Sequence, residues 1–372
     1  MKQILCNNAI IFLALSLTLL SCHKTKPITA SDTPQFFSIS QEEEFSQLTI
    51  FDSSKSPIQT IKINSEGPVG SPIKKLGIYS TTYHPMIEAL NQLNKVVVID
   101  TVKYSNNQKI INRVKTGEIL ETGPFPTLDF ETLLLSKADA IFIPPFSLTP
   151  TIKEKLKTAN IRYYVFNEWQ ENSPLAKSAW VKVAALLLGQ KELGDEIYNK
   201  IESQYLDLKN EIASNQMGSR PLVLTSYPYQ EQWGVCTTNS YLATLIYDAG
   251  GMAIPFEKRL KKSTSGATLL LSCETVLLHG HDCQIWLINS DPNLTKEKIA
   301  KQYPLLQELK AYKTGSIFNN SKRVNQYGGN DYFEQGAFYP HLLLQDIHKI
   351  ISDYNNGTKT NPDEFYFYQQ ID

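Results

Sequence analysis

Residues 131–139 read Glu-Thr-Leu-Leu-Leu-Ser-Lys-Ala-Asp and run into the apolar stretch Ala140-Ile141-Phe142-Ile143. The same chemical spelling returns at 274–282 as Glu-Thr-Val-Leu-Leu-His-Gly-His-Asp, ahead of Ile285-Trp286-Leu287-Ile288. Each copy is a short amphipathic helix, a polar corner ending in Asp, and a strand apolar enough to be buried on both faces. A chain that writes this unit twice is expected to fold as two α/β lobes of one design. Taken singly, Glu131 and Glu274 are explained as helix-start residues, because a carboxylate is stabilised at the positive end of the helix dipole.

Upstream of the first copy, Leu76-Gly77-Ile78-Tyr79 reads as a strand, Pro85 to Leu93 as a helix, and Val96-Val97-Val98-Ile99-Asp100 as the next strand. Downstream, the strand Arg162-Tyr163-Tyr164-Val165-Phe166 leads to a helix opened by Ser173-Pro174 and closed near Gly189. Strands alternating with helices predict a mainly parallel sheet. From Lys191 to Ala213 the residues Ile197, Ile201, Tyr205, Leu208 and Ile212 recur at spacings of four and three, the mark of one continuous amphipathic helix. At 1.5 Å per residue it is roughly 35 Å long. The second lobe restarts at Pro221-Leu222-Val223-Leu224-Thr225 and continues through the Tyr241 to Ala249 helix, Gly250-Gly251, the second copy and a last helix from His341 to Asp353. Ahead of the first lobe, Phe37-Ser38-Ile39-Ser40, Gln47-Leu48-Thr49-Ile50-Phe51 and Thr60-Ile61-Lys62-Ile63 alternate between polar turns, predicting a small antiparallel extension.

The first residues say where those lobes work. A positive Lys2 precedes an almost unbroken apolar stretch from Ala9 to Leu20, too short to span a bilayer and right for a signal peptide. It ends in Leu19-Leu20-Ser21-Cys22, which resembles the bacterial lipobox, so Cys22 is the expected lipidation site and His23 to Pro34 a tether. The expected organisation is a signal segment at 1–21, a tether at 22–36, the β extension at 37–70, an N-terminal lobe at 71–190, the interlobe helix at 191–217, a C-terminal lobe at 218–355 and a tail at 356–372. A formal net charge of −1 supplies no field for nucleic acid or for acidic membrane surfaces. Beyond Cys6 and Cys22, only Cys236, Cys273 and Cys283 remain, with no CxxC spacing. A Cys273–Cys283 disulfide is conceivable, and buried free thiols are the expected state.

Three further stretches carry a family resemblance: Ser-Pro-Leu-Ala-Lys-Ser-Ala-Trp at 173–180, Asn239-Ser240-Tyr241-Leu242 with Asp248-Ala249-Gly250-Gly251, and Gly328-Gly329-Asn330-Asp331-Tyr332. In that order, over about residues 70–355, they resemble the Fe/B12 periplasmic-binding domain family. These are the envelope substrate-binding proteins of ABC importers for iron complexes and cobalamin, and the match is best to lipoproteins of Bacteroidetes type. The resemblance implies a class III fold, two Rossmann-like lobes with mainly parallel sheets joined by a long α-helix. It also implies a monomer on the periplasmic side of the cell envelope, held there by its lipid, with no catalytic activity and no cofactor. In this family each lobe offers a surface glutamate to arginines of the permease dimer, which works with its ATPase; the matching positions are Glu131 and Glu274. Paired carboxylates on equivalent helices suit two equivalent basic sockets.

The cargo, an iron chelate, haem or a corrinoid, is expected in the cleft between the lobes, where the loops after the strands meet. Those loops offer Tyr83, His84, Phe146 and Trp169 from the first lobe, Tyr227, Tyr229 and Trp233 from the second, and Asn330, Tyr332 and Phe333 from the last loop. So many aromatics suit a large rigid ligand held by stacking. Basic residues are scarce, Lys322 and Arg323 being the nearest, which disfavours a highly anionic ferric catecholate. His279-Gly280-His281-Asp282 looks like a metal cluster, but it occupies the corner matching Ser136 to Asp139, away from the expected cleft, so no metal site is expected there. His84 could serve haem as an axial ligand; a packed or hydrogen-bonding role is the plainer reading. The rival class is a lipid-anchored hydrolase, for which the chain offers no Gly-x-Ser-x-Gly elbow, no Cys–His pair and no Gly-rich phosphate loop after a strand.

Overall fold

The apolar tetrad of the first copy is the pivot of the first lobe. Ala140–Ile143 is buried at every position and pairs in parallel with Leu76–Ile78 on one side and Arg162–Val165 on the other. Val96–Ile99 and Leu120–Glu121 extend the sheet beyond Leu76–Ile78, again in parallel. Strand order therefore reverses between Leu76–Ile78 and Ala140–Ile143, and the loops leaving these two strands part to open a crevice at their carboxyl ends. The second copy repeats the plan. Ile285–Ile288 is buried throughout and pairs in parallel with Leu222–Thr225 and Ile317–Asn319. Met252–Ala253 adds a parallel edge, and Gln369–Gln370 an antiparallel one.

The computed structural model describes residues 32–125, 127–216, 218–262 and 266–372, so the expected signal segment and Cys22 lie outside the described residues. At the other end, residues 356–372 were expected to form a tail apart from the lobe, and the fold corrects this. Phe365, Phe367 and Tyr368 are buried in the second lobe, and the buried Asp346 accepts the backbone N–H groups of Tyr366, Phe367 and Tyr368. A carboxylate holding three amides, with three aromatic rings buried beside it, makes this segment part of the lobe.

The N-terminal extension is an antiparallel sheet of Phe37–Gln41, Ser46–Phe51, Pro57–Asn64 and Gly67–Pro68. Its alternating pattern buries Leu48, Ile50 and Ile63 in one core with Phe166 and Trp180 of the first lobe. The Phe37 ring meets Trp180 edge-on at 5.1 Å. Gln59 finishes the lobe's sheet: its amide donates to the Tyr163 carbonyl at 2.8 Å and accepts from the Val165 N–H at 2.9 Å. An edge strand that would otherwise present unpaired groups is thereby covered. Gly67, at φ 117°, permits the close approach, because a Cβ there would lie 2.7 Å from the Leu187 carbonyl oxygen. The helix expected from 174 to 189 is two pieces, Pro174–Ser178 and Trp180–Leu187, meeting at Ala179.

Lys191–Asn215 is one α-helix of 25 residues, about 37 Å long. Tyr198 and Ile201 sit in the first-lobe core, whereas Tyr205 and Ile212 sit in the second. The Tyr205 hydroxyl donates to Asp248 at 2.8 Å, and Lys209 pairs with the same carboxylate at 3.1 Å. Rotating one lobe against the other would have to unpack an interior that tolerates little displacement, so wide hinge motion is disfavoured. Cys236, Cys273 and Cys283 are free thiols.

Candidate functional site

Both crevices open onto one cleft between the lobes. A narrower chamber of about 270 Å³ is lined by Lys177 of the first lobe and by Ser226, Tyr241, Asn289, Asn320 and Tyr332 of the second, among others. A wider chamber of about 560 Å³ lies between Thr81 and Tyr104 of the first lobe and Ser290, Asp291 and Asn330 of the second. Asn289 and Phe333 line both. Ser226, Asn289 and Asn320 each stand just past a parallel strand, which is why three polar side chains converge there. Lys177 is the one cationic side chain lining either chamber among the described residues.

At one end of the cleft the lobes are clasped. Glu334, on the second-lobe helix Asp331–Phe338, accepts the Asn106 backbone N–H at 2.6 Å and the Ser105 hydroxyl at 3.3 Å. Its carboxylate also lies 3.3 Å from Nδ1 of His84, which is 2.9 Å from the Ser105 hydroxyl. The Asn325 amide donates to the carbonyls of Lys103 and Ser105, and the Asn106 amide to that of Gly329. A Cβ at Gly329 would stand 2.3 Å from the Tyr104 carbonyl oxygen, so glycine permits this contact. His84 is consequently corrected from a cargo contact to a clasp residue, wholly buried and engaged through Nδ1.

Two more of the expected cleft residues are core. Tyr83 is 1% exposed and packs on Phe166 at 5.0 Å. Trp233 is fully buried, its indole N–H donating to the Thr225 carbonyl at 3.0 Å and its ring 5.4 Å from Trp286. It lies on Gln232–Cys236, which pairs antiparallel with Thr268–Ser272, a strand pair the sequence reading did not contain. Phe146 and Trp169 are exposed and meet edge-on at 5.8 Å. Tyr227 stacks on Trp286 at 5.9 Å and, with Tyr229, lines a side hollow of about 370 Å³ that shares Ser290 and Asp291 with the wider chamber.

Asn330 and Tyr332 do line the cleft, and Asn330 also caps its helix by accepting the Tyr332 N–H at 3.0 Å. Lys322 and Arg323 are occupied elsewhere, Lys322 by the carbonyls of Pro362 and Phe365 and Arg323 by Asp331 at 2.6 Å. Lys177, Tyr241, Asn289 and Asn320 were not anticipated. The two asparagines follow strands directly and could have been nominated on that ground; Tyr241 was read as the start of a helix and as part of a family-like stretch, not as a cleft residue.

The floor of the narrower chamber is electrostatically unusual. Burial pulls the half-buried Lys177 ammonium below its ordinary pKa, against the opposing pull of Glu168. Burial pushes Glu168 up, although it accepts the Thr82 hydroxyl at 2.8 Å.

On the outer faces the two copies are alike. Glu131 lies in the first turn of Phe130–Leu135, capped by Asp129, and Glu274 in the first turn of Cys273–Gly280, capped by Ser272. Both glutamates are exposed, and neither is the cap of its own helix. Four residues on, Leu135 is 73% exposed and Leu278 71%. The aspartates of the two corners hold arginines, Asp139 with Arg162 at 3.1 Å and Asp282 with Arg259 at 3.0 Å, so Asp282 serves the corner rather than a metal.

Two α/β lobes spanned by one helix, with the crevices of both sheets facing each other, define a bilobal binding protein for small molecules. The chain belongs to the periplasmic binding protein family of Fe/B12 type, whose profile matches residues 78–323. That family consists of transport binding proteins, not enzymes. An uncharacterized lipoprotein of Methanocaldococcus jannaschii is 23% identical over 292 residues, covering 76% of this chain and 66%, just under two thirds, of its own length. A second from the same organism is 21% identical, covering 75% and 70%. Among solved structures, a periplasmic heme binding protein from Pseudomonas aeruginosa superposes with a TM-score of 0.59 at 15% identity, covering 81% of this chain and 98% of that one. A periplasmic heme binding protein of Vibrio cholerae gives 0.55 at 15% identity, covering 73% and 99%. These likenesses share the two-lobed fold with its long helix.

Proposed function

We propose that this chain is the cargo-capturing component of an ABC importer, anchored to the envelope through Cys22. It takes an iron complex, a siderophore chelate or haem, into the interlobe cleft and presents it to a permease dimer and its ATPase. The observation that carries this reading is the cleft itself, placed at both switch points and lined by aromatic rings, amides and hydroxyls. Such a lining stacks on and hydrogen-bonds a rigid organic ligand. Relatives called lipoproteins support the anchor, and structural neighbours that bind heme support the cargo class. Cobalamin or another corrinoid is the second reading, favoured by the near absence of positive charge from the lining. Glu131 and Glu274 are the docking carboxylates, and their matched exposure supports this.

Titration with haemin, a ferric hydroxamate and cyanocobalamin, followed by tryptophan fluorescence, tests the reading. Saturable quenching by one of them is expected, and the absence of saturation by all of them overturns it. For the anchor, metabolic labelling with an alkyne fatty acid should be lost in Cys22→Ser; label that persists contradicts lipidation at that thiol.

A further inference from the structure

Lys177 sits in the helix Pro174–Ser178, which brings it from the first lobe to the narrower chamber. Its ammonium donates to the Trp169 carbonyl at 3.2 Å and lies 5.0 Å from the centre of the Tyr241 ring. No carboxylate lies within ion-pair distance of it among the described residues. An ammonium has three donors, and a half-buried one normally fills them, because a desolvated charge without partners is costly. Two polar groups around it are also incomplete. The Tyr241 hydroxyl is buried without a partner, and the 5%-exposed Glu168 keeps one carboxylate oxygen, Oε2, unpaired. A cation with spare donors, opening on a cavity otherwise lined by neutral groups, is arranged to receive one negative charge.

We propose that Lys177 is a specificity-determining residue that binds a carboxylate of the cargo in the narrower chamber, while the rest of the molecule occupies the wider one. Burial lowers the pKa of the ammonium, Glu168 and Glu171 oppose that lowering, and the incoming carboxylate completes its shell. The chemical class selected is a metal complex bearing a peripheral carboxylate, in preference to the same complex esterified or to a neutral chelate. This inference rests on the cargo reading above.

The test measures the affinity of wild type, Lys177→Met, Lys177→Arg and Lys177→Met/Glu168→Gln for haemin, haemin dimethyl ester, a ferric hydroxamate and cyanocobalamin. The double variant removes both charges, so no buried carboxylate is left uncompensated. Loss of a charge-assisted hydrogen bond should weaken carboxylate-bearing haemin about ten- to a hundredfold in both Met-containing variants. The ester and the neutral complexes should be unaffected, and Lys177→Arg should retain most of the affinity. Binding of the free acid should also decline as pH rises through the lowered pKa of Lys177, earlier than an ordinary lysine would lose its charge. Equal losses for acid and ester, or none for either, overturn the carboxylate role while leaving the cargo reading in place. If none of the four complexes binds wild type, both fall together.

Discussion

At the outer corners, Glu131 and Glu274 occupy the same place in the same unit. Each is followed four residues later by an exposed leucine, and each unit ends in an aspartate–arginine pair. In the cleft the lobes differ. The first contributes Thr81, Tyr104 and Lys177, whereas the second contributes Tyr241, Asn289, Asn320 and Tyr332. Sameness outside suits a partner with two equivalent sockets, and difference inside suits one ligand with no symmetry. The clasp at Glu334 and the shared helix then fix how far apart the two dissimilar walls can stand.

The largest expected effect separates core from cleft among the tryptophans. Trp233→Ala should destabilise the second lobe by about 3–5 kcal/mol, because it empties a sealed site among Trp286 and its neighbours. Denaturant unfolding would show it; a shift under about 1 kcal/mol would return Trp233 to the cleft wall. Trp169→Ala should instead leave unfolding nearly unchanged and weaken cargo binding by about 1–3 kcal/mol, the contribution of a large stacked contact. Of similar size is the clasp. Glu334→Ala strands the Asn106 N–H and removes the carboxylate facing the Ser105 hydroxyl and His84, and should cost about 1–3 kcal/mol. Small-angle scattering should then show more compaction on cargo binding than in wild type, and an unchanged profile would mean the long helix alone fixes the lobes. Smallest for the protein itself are Glu131→Ala and Glu274→Ala, exposed changes expected to alter stability by no more than about 0.5 kcal/mol. Uptake by whole cells should fall comparably in each and furthest in the double variant. Unequal single effects would break the symmetry argued for the outer faces.

The parts of the fold that were legible in the sequence are those with long or doubled patterns. The repeated unit marked a fully buried interior strand of each lobe, and a 3.6-residue period marked the joining helix. Leu120–Glu121, Met252–Ala253 and Gln369–Gln370 are two-residue strands, too short to carry a period, so only tertiary pairing reveals them. The cleft was less legible. Tyr83 and Trp233 read like loop aromatics, yet Trp233 meets its polar requirement inside, at the Thr225 carbonyl, so its N–H gave no reason to expect exposure. Lys177 was passed over for the opposite reason. A lysine in a helical pattern reads as a solvated face, and only the placement of the second lobe over it turns that face into a chamber wall.

Native mass spectrometry of the protein purified from its own host tests the central claim most directly. The account predicts one metal complex bound per chain, retained by the Glu131→Ala/Glu274→Ala protein and depleted in Trp169→Ala, since the first pair faces outward and the exposed Trp169 ring is the one proposed to stack on the cargo. A chain that emerges with no small molecule and takes up none of the offered complexes would contradict it, as would a complex lost from the outer-face variant and kept by Trp169→Ala.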